Sequence, residues 1–592
     1  MTLTPSKEQK QFIELAKTGA NILVDACIGS GKTTAIQKLC MSLPETTKIL
    51  YLTYNKLLKL DAQSKIHASN VTVQNYHGFA YTALSRAGIS SGISDLIKTA
   101  VDAEPYIPTY DVIIIDEYQD IEQESSEFLK YIKSKNESMQ VIAVGDMEQK
   151  IYDKTTLDVV PFIHEFLGEY TQLEFTQCFR LSSKHAESLG RIWGKQIKGV
   201  NPDCEISTMD RYDVVEYLAN QDPSQVMCLG SRTGVMSNTL NTLEQHYPEK
   251  YNKNTVYASI KNTQGSVSPK PTSAIFTTFD SSKGLERDIC VVFDYDTAYW
   301  YARVNKPQQK YEILRNIFLV AASRGKSQII FVQSDKETLN ERVLSTPSKT
   351  NTTFKDTTMS NLFEFKYRED IMKAYDMLDI EEFKLTEEQD VIEIKRQDGL
   401  IDLSPCINLY QMETYFNNYS IDALLNQLYQ NKYKHNAPAS VLLSPIDDKI
   451  LNATSLRTNQ MRYKHQVETP FVSALGKKML ESRLATRFTK DEEVQVPSTL
   501  DFIGQKGRIF GAVGFADVVK DGVVYQLHFS NELTPENYLE CACNMLGTNH
   551  TESIIWNLSN NTAFKVSVPD ETKFLNAVVR TATKGKHTKL KK

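Results

Sequence analysis

The 592-residue sequence has no uninterrupted apolar stretch of about twenty residues, the length a helix needs to cross a bilayer core, so no membrane span is expected. Its N-terminus, MTLTPSKEQK, is polar and lacks an apolar signal segment, which argues against secretion. Cysteine is sparse: there are nine, none in a CxxC pair, and Cys541 and Cys543 stand too close for an ordinary zinc clamp. A disulfide framework is therefore excluded, and reduced thiols in an intracellular, cytoplasmic protein are expected. Strong charge of one sign is also missing. A net charge of −6 neither requires nor excludes nucleic acid, because a local basic groove can coexist with an acidic total. There is no repeat of fixed period.

What is present centres on Asn21 to Thr34, NILVDACIGSGKTT. An apolar run, Ile22 to Val24, leads into Gly29, Ser30, Gly31, Lys32, Thr33 and Thr34, and a helix-compatible run, Ala35 to Cys40, follows. Strand, glycine loop and helix are the context of a phosphate-binding loop. Glycines let backbone N–H groups turn inward around phosphate oxygens, and the helix N-terminus adds partial positive charge. Lys32 is expected to reach the β- and γ-phosphates of ATP, and Thr33 to place its hydroxyl on Mg²⁺. One departure is that the full pattern has glycine where Ala26 stands.

Unbroken β-rich runs recur at Ile49–Thr53, Val112–Ile115 and Val141–Val144, and again at Val226–Leu229, Ala274–Thr277, Ile289–Phe293 and Ile329–Val332. Such runs between helical stretches indicate parallel sheets covered on both faces. The expected fold is α/β: two tandem RecA-like domains, 1–180 and 181–345, with a cleft between them. A Ser/Thr-rich linker and a helical region, 346–470, come next. An α+β domain, 471–575, and a basic tail, 576–592, end the chain. The tail reads as a solvated end, with help in holding nucleic acid as the alternative.

VIIIDEYQD, Val112 to Asp120, is a buried-type strand ending in two acids. Asp116 suits the Mg²⁺ shell, and Glu117 suits a base that orients and deprotonates the attacking water. The next strand ends at Gly145-Asp146 and leads to Gln149, placed to sense the γ-phosphate.

Taken in order, these motifs resemble superfamily 1 DNA helicases of the UvrD/Rep/PcrA type over roughly residues 1–335. Gln9, in KEQKQFIE, matches the glutamine that reads adenine in that family. Thr53, Tyr54 and Asn55, then Thr72, His77 and Phe79, match segments that contact single-stranded DNA. Phe179 and Arg180, in TQCFRLSS, stand where the family has an aromatic stacked on adenine and an arginine near the γ-phosphate. TFDSSKGLE carries Ser282 and Lys283 as strand contacts and Glu286 at the nucleotide, and VAASRGK places Arg324 on the γ-phosphate from the second domain. Read singly, each short motif also fits an ordinary turn or a core residue; their order carries the resemblance.

The resemblance implies an ATP- and Mg²⁺-dependent helicase or translocase on single-stranded DNA or a single-strand/duplex junction, moving 3′ to 5′, in replication, recombination or repair. Two features depart from it. Tyr152 runs into Asp153-Lys154-Thr155, without the aromatic that stacks on a base, and the spacings leave little room for accessory domains. A DNA-stimulated ATPase without productive unwinding is therefore an alternative. Residues 471–546 more weakly resemble the PD-(D/E)XK nuclease domain of RecB and AddAB relatives, with Asp517 at the metal-binding acid. Gln526-Leu527-His528 replaces the Glu-x-Lys that should follow. An inactive module that docks DNA or a protein partner is expected; an active helicase–nuclease and an unrelated α+β domain remain alternatives. The compact, Asn/Lys/Tyr-rich chain would suit a virus or phage and hence a host's cytoplasm.

Overall fold

The computed structural model describes residues 4–54, 56–259, 268–347, 351–385, 391–392 and 396–591. Asn55 lies outside the described residues.

The first lobe is built on a wholly parallel sheet in the order Val71–Asn75, Ile49–Thr53, Val112–Asp116, Gln140–Gly145, Ile22–Ala26, Thr171–Phe175. Its inner strands are buried on both faces, which is why they read as unbroken apolar runs. One face packs on Phe12, Ile36 and Leu39, the other on Phe79, Phe128 and Ile132. The phosphate-loop strand and the acidic strand flank Gln140–Gly145, so all three release their functional residues at one edge. Crevices at the carboxyl ends of such strands are where open α/β sheets bind ligands.

The second lobe repeats the design: Val256–Ala258, Ala274–Thr277, Val226–Leu229, Arg287–Val292, Gly325–Gln333 and Glu205–Asp210, again all parallel. The expected α/β fold with two tandem parallel sheets is thus observed. Glu205–Asp210 was not legible in the sequence because it is an exposed edge with no apolar run.

Helices Ser404–Tyr415, Ile421–Tyr433 and Ile446–Thr458 form the core of the helical region. It docks on the second lobe through buried Arg462, which donates to Val256 O at 2.9 Å and lies 3.3 Å from Glu244. The C-terminal sheet is mixed. A long antiparallel hairpin, Glu493–Gly504 with Gly507–Lys520, continues through Val523–His528, Glu552–Asn557 and Thr562–Ser567. Thr357–Thr358 and Asp379–Glu382, from the stretch read as linker and helical region, add its two outer strands. The basic tail is corrected from solvated to docked. Lys584 donates to Asp153 Oδ2 at 2.6 Å, and Lys591 N to Ile503 O at 2.7 Å.

All nine cysteines are buried and unpaired. Among the described residues no helix is long and apolar enough to cross a membrane.

Candidate active site

Gly29 and Gly31 have φ of 66° and 73°, the left-handed region in which a side chain is strained. A Cβ at Gly29 would fall 2.9 Å from both Arg180 Cβ and Cys178 Sγ, and one at Gly31 would fall 2.9 Å from Gln9 Nε2. Conformation and space therefore both select glycine. Ala26 ends the strand in extended backbone at a position that requires no glycine, which explains the departure from the full pattern. Gly31 caps the helix Lys32–Ser42, with Lys32, Thr33 and Thr34 in its first turn. Ser30 is buried, and its hydroxyl has no hydrogen-bond partner among the described residues.

Lys32 Nζ lies 3.4 Å from Glu117 Oε1, joining the phosphate loop to the acidic strand end. Burial opposes the charge on Lys32, but Glu117, Asp146 and Asp116 outweigh it and raise its pKa. Burial likewise opposes ionisation of Glu117, yet Lys32 and Lys283 hold it below the usual carboxylate range. Glu117 itself sits at φ 57°, a strained turn that aims its carboxylate into the cleft. Asp116 Oδ2 accepts from Tyr51 Oη at 2.7 Å, while Oδ1 is buried with no partner among the described residues. Burial and then Glu117 push this carboxyl up to about 7. A divalent cation would relieve both the orphaned oxygen and the suppressed charge, so the donor set fits Mg²⁺.

The second lobe closes on this group. Lys283 is nearly buried; it donates to Asp120 Oδ2 at 2.5 Å and Gln149 O at 2.8 Å, and lies 3.8 Å from Glu117 Oε2. Arg324 is 3% exposed, donates through Nε to Val320 O at 3.0 Å, and leaves Nη2 without a partner among the described residues. Burial and then Arg180 bring it down to about 9, and Glu117 is among the acids acting on it. An unsatisfied, desolvated guanidinium within the electrostatic reach of Glu117 is poised for an anion. Arg180 pairs with Glu286, whose other oxygen lies 2.9 Å from Lys326. Burial opposes the Glu286 charge, but Arg180 and Lys326 hold this carboxyl down at about 2.

Gln149 donates to Asp146 Oδ2 at 2.7 Å. The other oxygen of Asp146 accepts from Lys195 at 3.0 Å, and Lys195 also reaches Asp25 at 2.5 Å and Glu148 at 3.0 Å. Asp25, Asp146 and Glu148 converge closely enough to hold a metal ion, but the Lys195 ammonium already satisfies them. Lys195 escapes sequence reasoning, because a lysine in GKQIKG gives no signal of its cross-lobe partners.

At the base end, Ser6 caps the first helix and Gln9 Oε1 accepts from Ser6 N at 3.1 Å, while Gln9 Nε2 donates to Ser30 O at 3.0 Å. Phe179 is 44% exposed, and its ring lies 3.7 Å from the position a Gly31 Cβ would take. Gln9, Gly31 and Phe179 thus form one corner.

The candidates for strand contact separate into groups. Tyr54 stacks on Tyr152 at 5.9 Å and donates to Glu122 at 3.2 Å. Thr72 is half-buried and His77 exposed on the same edge. Phe79 is corrected from a strand contact to a core ring, packed between Tyr110 and Phe128. Ser282 and Thr53 are fully buried; Ser282 donates to Phe279 O at 2.8 Å. Lys283 engages Asp120 rather than an open surface.

In the C-terminal domain Asp517 accepts from Gln526 Nε2 at 2.7 Å, Leu527 N at 2.8 Å and Gln495 Nε2 at 3.1 Å. Two amides therefore stand where a metal would need to bind. Glu540 lies near, its carboxyl pushed up to about 7 by burial and by Asp517, and the half-buried His528 is brought down to about 4 by desolvation.

Together the fold and the cleft define a two-lobed phosphate-loop nucleotide-binding protein. A family model described as an AAA domain matches residues 9–155. No curated protein matches the chain. Among solved structures it is similar to the arterivirus nonstructural protein 10 helicase, at 12% identity and a TM-score of 0.29 over 54% of this chain and 61% of that one. It is also similar to the Pif1 helicase from Candida albicans, at 13% identity and TM-score 0.31 over 59% and 98%, and to S. cerevisiae Dbp5, at 12% and 0.35 over 58% and 87%. The chain spans about 61% of the arterivirus protein's length.

Proposed function

We propose that this protein is an ATP-driven motor on single-stranded DNA, a helicase or translocase of the UvrD/Rep/PcrA type working 3′ to 5′ inside a cell. The observation that carries the reading is the split site: Lys32 and Glu117 of one lobe meet Lys283 and Arg324 of the other. An arriving triphosphate draws the Lys32 ammonium away from Glu117 and onto the β- and γ-phosphates. Bound Mg²⁺, held by Thr33 and Asp116, would neutralise phosphate charge. Glu117 orients a water for in-line attack on the γ-phosphorus and takes its proton as the bond to the β,γ-bridging oxygen breaks. Arg324 supplies its fork to the charge that builds on the γ-oxygens, and does so only when the lobes are closed. Release of phosphate frees Arg324 and lets the lobes part, so turnover becomes relative motion along the strand.

A DNA-stimulated ATPase without unwinding is favoured by one feature, the clamp of Lys584 and Lys310 on Asp153 in the loop that follows Tyr152. Turnover and strand displacement measured on the same tailed duplex separate the two. Displacement that stops in Glu117→Gln supports the motor; turnover without displacement supports the alternative. The C-terminal domain is read as a nuclease-like module without cleavage activity, because the amides of Gln495 and Gln526 engage the carboxylate that metal would require.

A further inference from the structure

A groove of about 950 Å³ opens where the loop after Tyr152, the second lobe, residues 351–366 and the C-terminal domain meet. None of the described helicase-motif strand contacts suggested by the sequence lines it, though Lys584 of the basic tail does. Its lining includes Phe365 and Lys366 from the linker and Arg232 and Tyr301 from the second lobe.

Phe365 has φ 54° and a ring that is 60% exposed. A bulky residue in left-handed backbone is strained, and such strain gathers at ligand clamps. Here it holds the ring on the groove wall instead of in a core. Lys366 is only 9% exposed, yet it makes no hydrogen bond or ion pair among the described residues. Burial and the nearby ammonium groups of Lys584 and Lys306 bring it down to about 8, against the weaker pull of Glu364. Three aspartates share the groove, and each has its own cation: Asp153 has Lys584, Asp280 has Arg303 and Asp356 has Arg508. With Glu364 counted, four carboxylates line the groove against seven cationic side chains, so its lining is net positive, and it carries two exposed rings, Phe365 and Tyr301.

Phosphodiester oxygens meet the charge, and unpaired bases meet the rings. A duplex offers its phosphates but keeps its base faces stacked, so exposed rings in the groove select a single strand. We propose that the linker forms one wall of a single-strand nucleic-acid channel, with Phe365 stacking on a base and Lys366 neutralising a phosphate. The proposal rests on the motor reading, and it makes the C-terminal third part of the grip on the strand.

The test is binding of labelled oligo-dT, oligo-rU and a blunt hairpin duplex by the full chain across a salt series, with basal ATP turnover measured alongside. Lys366→Gln should flatten the logarithmic salt slope by about 0.7, one phosphate's share on a single strand. Phe365→Gly removes the ring and relieves the backbone, so its melting temperature should hold or rise while affinity falls about fivefold or more, the loss expected from one stacking platform. Basal turnover should be unchanged in both. Wild-type affinity and slope in both variants, with dT still stimulating turnover, would overturn the channel and leave the motor reading standing. A wild-type chain that binds neither oligomer would overturn both, and duplex held as tightly as single strand would overturn the stacking role. If dT and rU bind alike, the grip reads the shared phosphodiester and base faces, as proposed.

Discussion

Lys283→Ala removes the ammonium that joins the lobes. Lys283 and Asp120 are 7% and 1% exposed at their side chains, and the ammonium sits 2.5 Å from Asp120 Oδ2. The other Asp120 oxygen already has no partner among the described residues, so the variant leaves a wholly unpaired buried carboxylate. Breaking a buried pair from one side costs about 3–5 kcal/mol. Gln149 O also loses its donor, a further loss of about 1 kcal/mol. The double variant Lys283→Ala/Asp120→Asn removes the stranded charge and should recover most of the loss, giving a coupling well above the scatter of a double-mutant cycle. Urea unfolding of the nucleotide-free chain, followed through Trp193 and Trp300 of the second lobe, reads it. A Lys283→Ala chain within about 0.5 kcal/mol of wild type, the range of a neutral surface change, but with weakened single-strand binding would refute the reasoning. Lys283 would then be a strand contact, as its motif suggested.

Arg324→Lys keeps the charge but loses the planar fork, and turnover should fall by about a hundredfold or more while ATP binding changes little; unchanged turnover would place Arg324 outside the reaction. Protons compete with Mg²⁺ for Asp116, whose carboxyl stands at about 7, so Mg²⁺ affinity should rise from pH 6 to pH 8. Tyr51→Phe removes the hydrogen bond that favours the ionised form, so that rise should move to higher pH in a Mg²⁺ titration of turnover. Lys195→Met leaves three carboxylates facing one another, and hydrogen exchange around Asp25 and Asp146 should quicken; unaltered protection would mean that solvent already satisfies them. The purified chain should cut neither single- nor double-stranded DNA with Mg²⁺ or Mn²⁺, and cleavage that vanishes in Asp517→Ala would make it a helicase–nuclease.

The parts legible in the sequence are those in which one short stretch does one task. Gly29, Gly31 and Lys32 announce the loop because φ and close approach admit few substitutes. The central strands are legible because burial on both faces forces unbroken apolar runs. The roles that escaped are those defined by partners distant in the chain. Lys195 acquires meaning only beside Asp25 and Asp146, and Lys283 only beside Asp120. Phe79 shares a motif with exposed His77, yet its own packing against Phe128 takes it into the core. The tail read as solvated because KGKHTKLKK is charged, but Asp153 lies within reach of Lys584. A run of charges in one dimension says nothing about which of them are neutralised in three.

The central claim is that a split site hydrolyses ATP under the control of a bound strand. Its most direct test is ATP turnover by the purified chain with and without oligo-dT, with Glu117→Gln run in parallel. The account predicts turnover that rises with the strand in the wild type, and retained ATP binding with no turnover in Glu117→Gln. Turnover indifferent to the strand, or equal in the variant, would contradict it.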